Sequence, residues 1–139
     1  MKILNMERLH RKLARIPEKV KQRAQADLML AGREINMLQR SLAPKDDGVL
    51  AGTIRTEPLT DGTIGVVIRA GGPATTKTVR KSSKGNSPQY DYALAQEYGT
   101  QNMPPNAFFW PGYKARKKKA MAHARRGIRR AMKEAVSGD

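Results

Sequence analysis

The chain contains no cysteine, which excludes disulfides and thiolate metal sites and is compatible with a reducing cytosol. No apolar run approaches the length of a membrane span, and no signal-peptide pattern stands ahead of the first helical repeat. Histidine is nearly absent as well. His10 and His123 fall in opposite terminal helical stretches among basic residues, with no acid close in sequence to orient either, so both are read as surface residues. Acids are few and scattered, and the adjacent pair Asp46-Asp47 sits in turn chemistry. Gly71-Gly72 lacks the spacing and following helix of a phosphate cradle, and Ser41 lacks the surroundings of a nucleophile elbow. No catalytic, cofactor-binding or metal site is therefore expected, and the chain does not read as an enzyme.

Aromatics make up only 5% of the 139 residues, and many would-be core positions are alanine or methionine. One domain of this length buries roughly two thirds of its unfolded surface. A core so thin in large side chains predicts that neighbouring subunits supply part of the apolar burial.

Positive charge is abundant. Twenty-seven Lys and Arg against twelve Asp and Glu give a formal net charge of +15. Ten of the basic residues lie between Lys114 and Lys133 with no acid among them, and Lys77, Arg80, Lys81 and Lys84 form a second acid-free group. Such an imbalance cannot be neutralised within the chain, so an acidic protein surface or nucleic acid is the expected partner.

Periodicity organises the chain as α+β. Apolar residues recur at steps of three and four over residues 5–42, the repeat of one helical face. Pro17 suits the first turn of a helix and not its interior, which predicts a short helix, a break near Ile16 and a long helix from Pro17 to about Leu42. A β-hairpin is expected over 52–72. Its strands run from Thr53 to Leu59 and from Thr63 to Ala70 around Thr60-Asp61-Gly62, with Ile64, Val66 and Ile68 facing the long helix. Residues 73–89 are polar and basic and predict a mobile loop or hairpin tip. A short helix is expected within Tyr90 to Tyr98, stopped by Gly99, and an extended segment from Met103 to Pro111. A basic helix follows over 112–136. Its Ala120, Met121, Ala124, Ile128, Ala131, Met132 and Ala135 share one arc, with the long N-terminal helix as partner. Lys118, Lys119, Arg125, Arg126, Arg129, Arg130 and Lys133 share the adjoining arc.

The seven aromatics all lie between Tyr90 and Tyr113. Within that window Tyr92-Ala93, Glu97-Tyr98-Gly99-Thr100 and the block Met103 to Pro111, with Phe108, Phe109, Trp110 and Pro111, follow one another in fixed order. Upstream stand Ala43-Pro44, Gly48 and Leu50. This order resembles a family of small neck and tail-completion proteins of long-tailed bacteriophages, prophages and phage-like particles, over about residues 10 to 135. Two departures are Gly52 to Ile54, where an Arg is more usual, and residues 73 to 89, which are longer and more basic than the family pattern.

The resemblance implies a virion structural protein of the head–tail junction, assembled in the host cytoplasm. It implies a homo-oligomeric ring, most often of six copies, joining connector to tail tube around the channel through which DNA is ejected. Tail terminator and connector stopper rings are the neighbouring roles it leaves open. The expected partners are further copies of the chain, adjoining connector, stopper, terminator or tail-tube proteins, and non-specific contact with DNA in the lumen, with no membrane and no cofactor. The larger share of the charge is expected to meet protein. A free, sequence-independent nucleic-acid-binding protein is the alternative from another class. Tyr92, Glu97, Tyr98, Gly99, Phe108, Phe109, Trp110 and Pro111 are the candidate interface and structural residues. Glu97 is singled out to pair with a basic side chain of its own or a neighbouring subunit. Phe109 is expected to face one side of an extended segment, and Phe108 and Trp110 the other.

Overall fold

A computed structural model describes residues 17–79, 83–85 and 87–137. The expected short helix before Ile16, with His10, lies outside the described residues, as do Arg80 and Lys81.

Helix α1 spans Glu18–Leu42. Pro17 is its N-cap, and the Pro17 carbonyl accepts from the amides of Val20 and Lys21 at 3.0 and 3.3 Å. At the other end Pro44 disfavours helical backbone in Ala43, which is extended at φ −65° and ψ 145°. A five-residue helix, α2 (Val49–Thr53), then opens on Gly48 in the left-handed region at φ 74°. Thr53 was expected in a strand. It ends α2 instead, and its hydroxyl accepts the Gly71 amide at 2.9 Å.

Strands β1 (Arg55–Pro58) and β2 (Val66–Arg69) pair antiparallel, with Thr56 opposite Ile68. The hairpin is the expected one, but its strands are shorter. Leu59 to Gly65 forms the connection, closed by the Leu59 amide on the Gly65 carbonyl at 3.2 Å. Ile64 consequently leaves the sheet and is exposed, whereas Ile68 packs with α1 as the alternation predicts. Gln25 of α1 holds the connection with both ends of its amide, donating to the Gly65 carbonyl and accepting the Gly65 amide at 3.0 Å each. On the outer face Glu57 lies between Arg55 at 2.6 Å and Arg69 at 3.0 Å, and the Arg55 hydrogen bond chiefly holds its carboxyl below the usual range.

Of the expected loop or hairpin tip over 73–89, the hairpin is what forms, with an ordered base. Pro73–Thr75 is a 3₁₀ turn, and β3 (Thr76–Thr78) pairs antiparallel with β4 (Gln89–Asp91). Thr75 is buried and donates to the Asp91 carboxylate at 2.6 Å. That carboxylate also accepts the Gly72 amide and the Ala93 amide, so one side chain fixes the base of the second hairpin and caps the next helix.

Helix α3 is Tyr92–Tyr98 and helix α4 is Phe109–Ser137. Helices α1 and α4 run antiparallel, shown by the pairs Gln39 with Phe109, Glu34 with Arg116 and His123, and Arg23 with Glu134. Ala24, Ala31 and Ile35 of α1, and Ala120, Ala124 and Ala131 of α4, are buried along these helices. Alanine and glycine let the axes come close: a Cβ on Gly112 would lie 2.7 Å from Gln39 Cγ. Met132 and Ala135, expected in the packed arc, are exposed. Buried amides seal the helix pair at one end. Thr56 donates to Asn36, Asn36 to Gln39, and Gln39 to the Phe109 carbonyl, at 2.6, 3.1 and 3.0 Å. A second core gathers Ala43, Leu50, Ile54, Ala93 and Phe108 where α2, α3 and the start of α4 meet.

Candidate functional site

Asp91 starts α3 by accepting the Ala93 amide, and Gly99 stops it at φ 77°. Any Cβ on Gly99 would meet Pro105 N at 2.9 Å and Met103 O at 3.0 Å, so glycine is required twice over, for its dihedral and for the approach of the returning chain. Residues 100–107 form an exposed strap, a tight turn between the bridged Thr100 and Met103 followed by an irregular run whose Asn106 amide donates to the Gln96 carbonyl at 2.7 Å.

The strap ends earlier than the prolines suggest. Phe109, Trp110 and Pro111 are the first turn of α4 and not an extended run, because a proline there gives up an amide that has no helical partner anyway. The remaining free amides go to one residue. Glu97, 8% exposed, accepts Phe108 and Phe109 on Oε2 at 2.8 Å each, and Trp110 on Oε1 at 2.9 Å. Three donors from Glu97's point of view, plus a proline without one, complete the helix start, and the carboxylate charge complements the positive end of the helix dipole. The expected pairing of Glu97 with a basic side chain of its own chain is therefore corrected: among the described residues it makes no ion pair, and its partners are backbone amides.

Helical geometry also replaces the expected alternation of the three aromatics. Phe108 is 1% exposed and plugs the second core, Phe109 is half-buried beside it, and Trp110 is 43% exposed. Trp110 donates its indole N–H to the Tyr98 hydroxyl at 2.9 Å. Its ring stands edge-on to Phe109 and Tyr113 at 5.5 and 5.7 Å. Tyr98 is 64% exposed and Leu94 61%. Together these side chains make an aromatic ridge. On one side lies a groove of about 450 Å³ lined by Ala70, Gly72, Leu94, Tyr98 and Trp110. On the other is one of about 280 Å³ lined by Ile35, Val66, Ile68, Tyr113 and Met121. Pro111 is exposed at the end of the ridge.

Tyr92 stands apart, half-buried, with Lys77 Nζ 5.1 Å above its ring. Burial, then the Asp47 and Asp91 carboxylates, push its phenol up. Lys84 is exposed in the turn between β3 and β4. On α4 the buried face turns toward α1, and Lys118, Lys119, Arg125, Arg126, Arg129, Arg130 and Lys133 are all exposed. None of these seven lies within ion-pair distance of a carboxylate among the described residues. The structure thus brings Tyr98, Phe109, Trp110 and Pro111 together and leaves the basic residues as a separate face.

Sequence reasoning missed Asp91, whose place before a helix is an N-cap signature, and the buried amides Asn36 and Gln39, which helical periodicity cannot flag. It also missed Glu34. That residue, 89 positions from His123, lies 3.1 Å from its Nδ1 and 2.7 Å from Arg116. Among the described residues no three His, Asp or Glu side chains gather as a metal site, and no helix is long and apolar enough to cross a membrane. Compared with protein-family models, curated proteins and solved structures, the chain matches none.

Proposed function

We propose that this chain is a structural subunit of the head–tail junction of a long-tailed phage or phage-like particle, forming a ring that joins connector to tail tube around the DNA channel. The observation that carries the reading is the unit built by its resemblance-bearing residues. Glu97 fixes the start of α4 and Gly99 the end of α3, and the two helix ends present Trp110 and Tyr98 outward in an apolar ridge. A monomer gains nothing by holding Trp110 and Tyr98 in water, where large apolar patches mark interaction sites. A ring made by head-to-tail contacts would cover such a ridge on every copy. The thin core, with alanines at the centre of the helix pair, fits a chain that completes its apolar burial between copies.

The test is location. Particles purified from the host that encodes this chain are labelled with an antibody to it and imaged by electron microscopy. Label at the junction of head and tail is expected. Label on the capsid shell or tail tip, or absence of the chain from intact particles, overturns the reading.

A further inference from the structure

The outward face of α4 is the largest feature that the ring reading leaves unassigned. Its seven cations occupy about 22 Å of helix between Lys118 and Lys133, at 1.5 Å per residue. One carboxylate, Asp27, packs beside Gly127 in the groove that Arg126 and Arg130 also line, without an ion pair to either, and five others are engaged elsewhere. Glu34 and Glu134 bind cations at the α1 side, Glu57 binds the sheet arginines, and Asp91 and Glu97 cap helices. The small Ala122 lies among the cations, and the exposed His123 and Met132 flank them. Protein interfaces are organised around a buried apolar or aromatic anchor and are depleted in lysine. Between Lys118 and Lys133 the one exposed large apolar side chain is Met132, at the edge of the face, and no aromatic lies among the cations. A polyphosphate backbone needs no such anchor: it needs clustered Lys and Arg that small residues let it approach.

We infer that the outward face of α4 binds the phosphate backbone of duplex DNA, without reading sequence. It assigns to DNA the charge that the expectation gave chiefly to protein. It does not rest on the ring reading, since a monomer carries the whole face.

The experiment measures anisotropy of a labelled random-sequence duplex titrated with the full chain at several salt concentrations. If about five phosphates are neutralised, log affinity falls against log salt with a slope near −4.5. The triple variant Arg125→Gln, Arg126→Gln, Arg129→Gln is expected to reduce that slope by about 2.7. A control triple, Lys19→Gln, Arg33→Gln, Lys45→Gln, removes the same charge from exposed positions on α1 and the turn after it, and is expected to leave the slope near wild type. All six substitutions are at exposed positions, and unchanged melting of both triples confirms that the fold is intact. Equal losses in the two triples would mean that net charge alone binds DNA, and would overturn the inference. So would poly-glutamate displacing the duplex at equal charge concentration, which would assign the face to an acidic protein. Absence of duplex binding at moderate salt would also overturn it.

Discussion

Glu97 decides more than any other single residue, because three amides depend on one carboxylate that is almost wholly buried. Glu97→Ala leaves those donors without a partner and should cost about 1.5–3 kcal/mol, the range for hydrogen bonds to charged groups. Glu97→Gln keeps one acceptor oxygen and should cost about half as much. Thermal melts of the two variants check the order. Equal stability of all three proteins would show that the helix start does not rely on this side chain. The neighbouring aromatics separate stability from assembly. Phe108→Ala, at a fully buried site, should cost about 3–5 kcal/mol. Trp110→Ala removes a ring that is nearly half in water, so its melting should shift far less while oligomer formation is lost. A Trp110→Ala protein that melts as low as Phe108→Ala would place the indole in the core.

Among the elements, the pairing of α1 with α4 is governed by small residues and by one clasp. Gly112→Ala would press a methyl against Gln39 Cγ at 2.7 Å and Cα at 3.1 Å, and overpacking of this kind costs about 1–3 kcal/mol. The variant should melt lower than wild type, and an unchanged midpoint would mean the helices can part freely there. The clasp is Glu34, whose carboxyl is held below the usual range first by its hydrogen bond with His123 and then by Arg116. A carboxyl depressed by folding contributes stability that is present above its unfolded pKa and is lost as pH falls through its folded one. Glu34→Gln should therefore lower the midpoint at neutral pH and make no difference once the wild-type carboxyl is protonated in both its folded and unfolded states. An equal deficit at both pH values would contradict this. These elements were also the legible ones. The step of three and four gave α1, α4 and their mutual partnership, and β-branched alternation gave the first hairpin. Three-residue strands of Thr, Lys, Gln and Tyr carry no comparable period, so sequence alone places β3 and the start of β4 within a mobile loop or hairpin tip. Pro111 was read as excluding helix when it stands in the one turn that tolerates it. Glu97 was visible as a residue of note, but its partners are amides eleven to thirteen positions ahead, and no side-chain pattern announces a backbone contact.

At the scale of the whole molecule, the acids mostly turn inward or bind neighbouring cations, whereas the basic face of α4 and the aromatic ridge remain open. A chain so arranged completes itself through partners, and the account stands on the ridge being covered by another copy. The mass of the purified protein, measured by light scattering at moderate salt over a range of concentrations, tests this most directly. A species near six times the 15.4 kDa of one chain is expected, reduced to smaller species by Trp110→Ala. A mass of 15.4 kDa at every concentration, for wild type and variant alike, would contradict it.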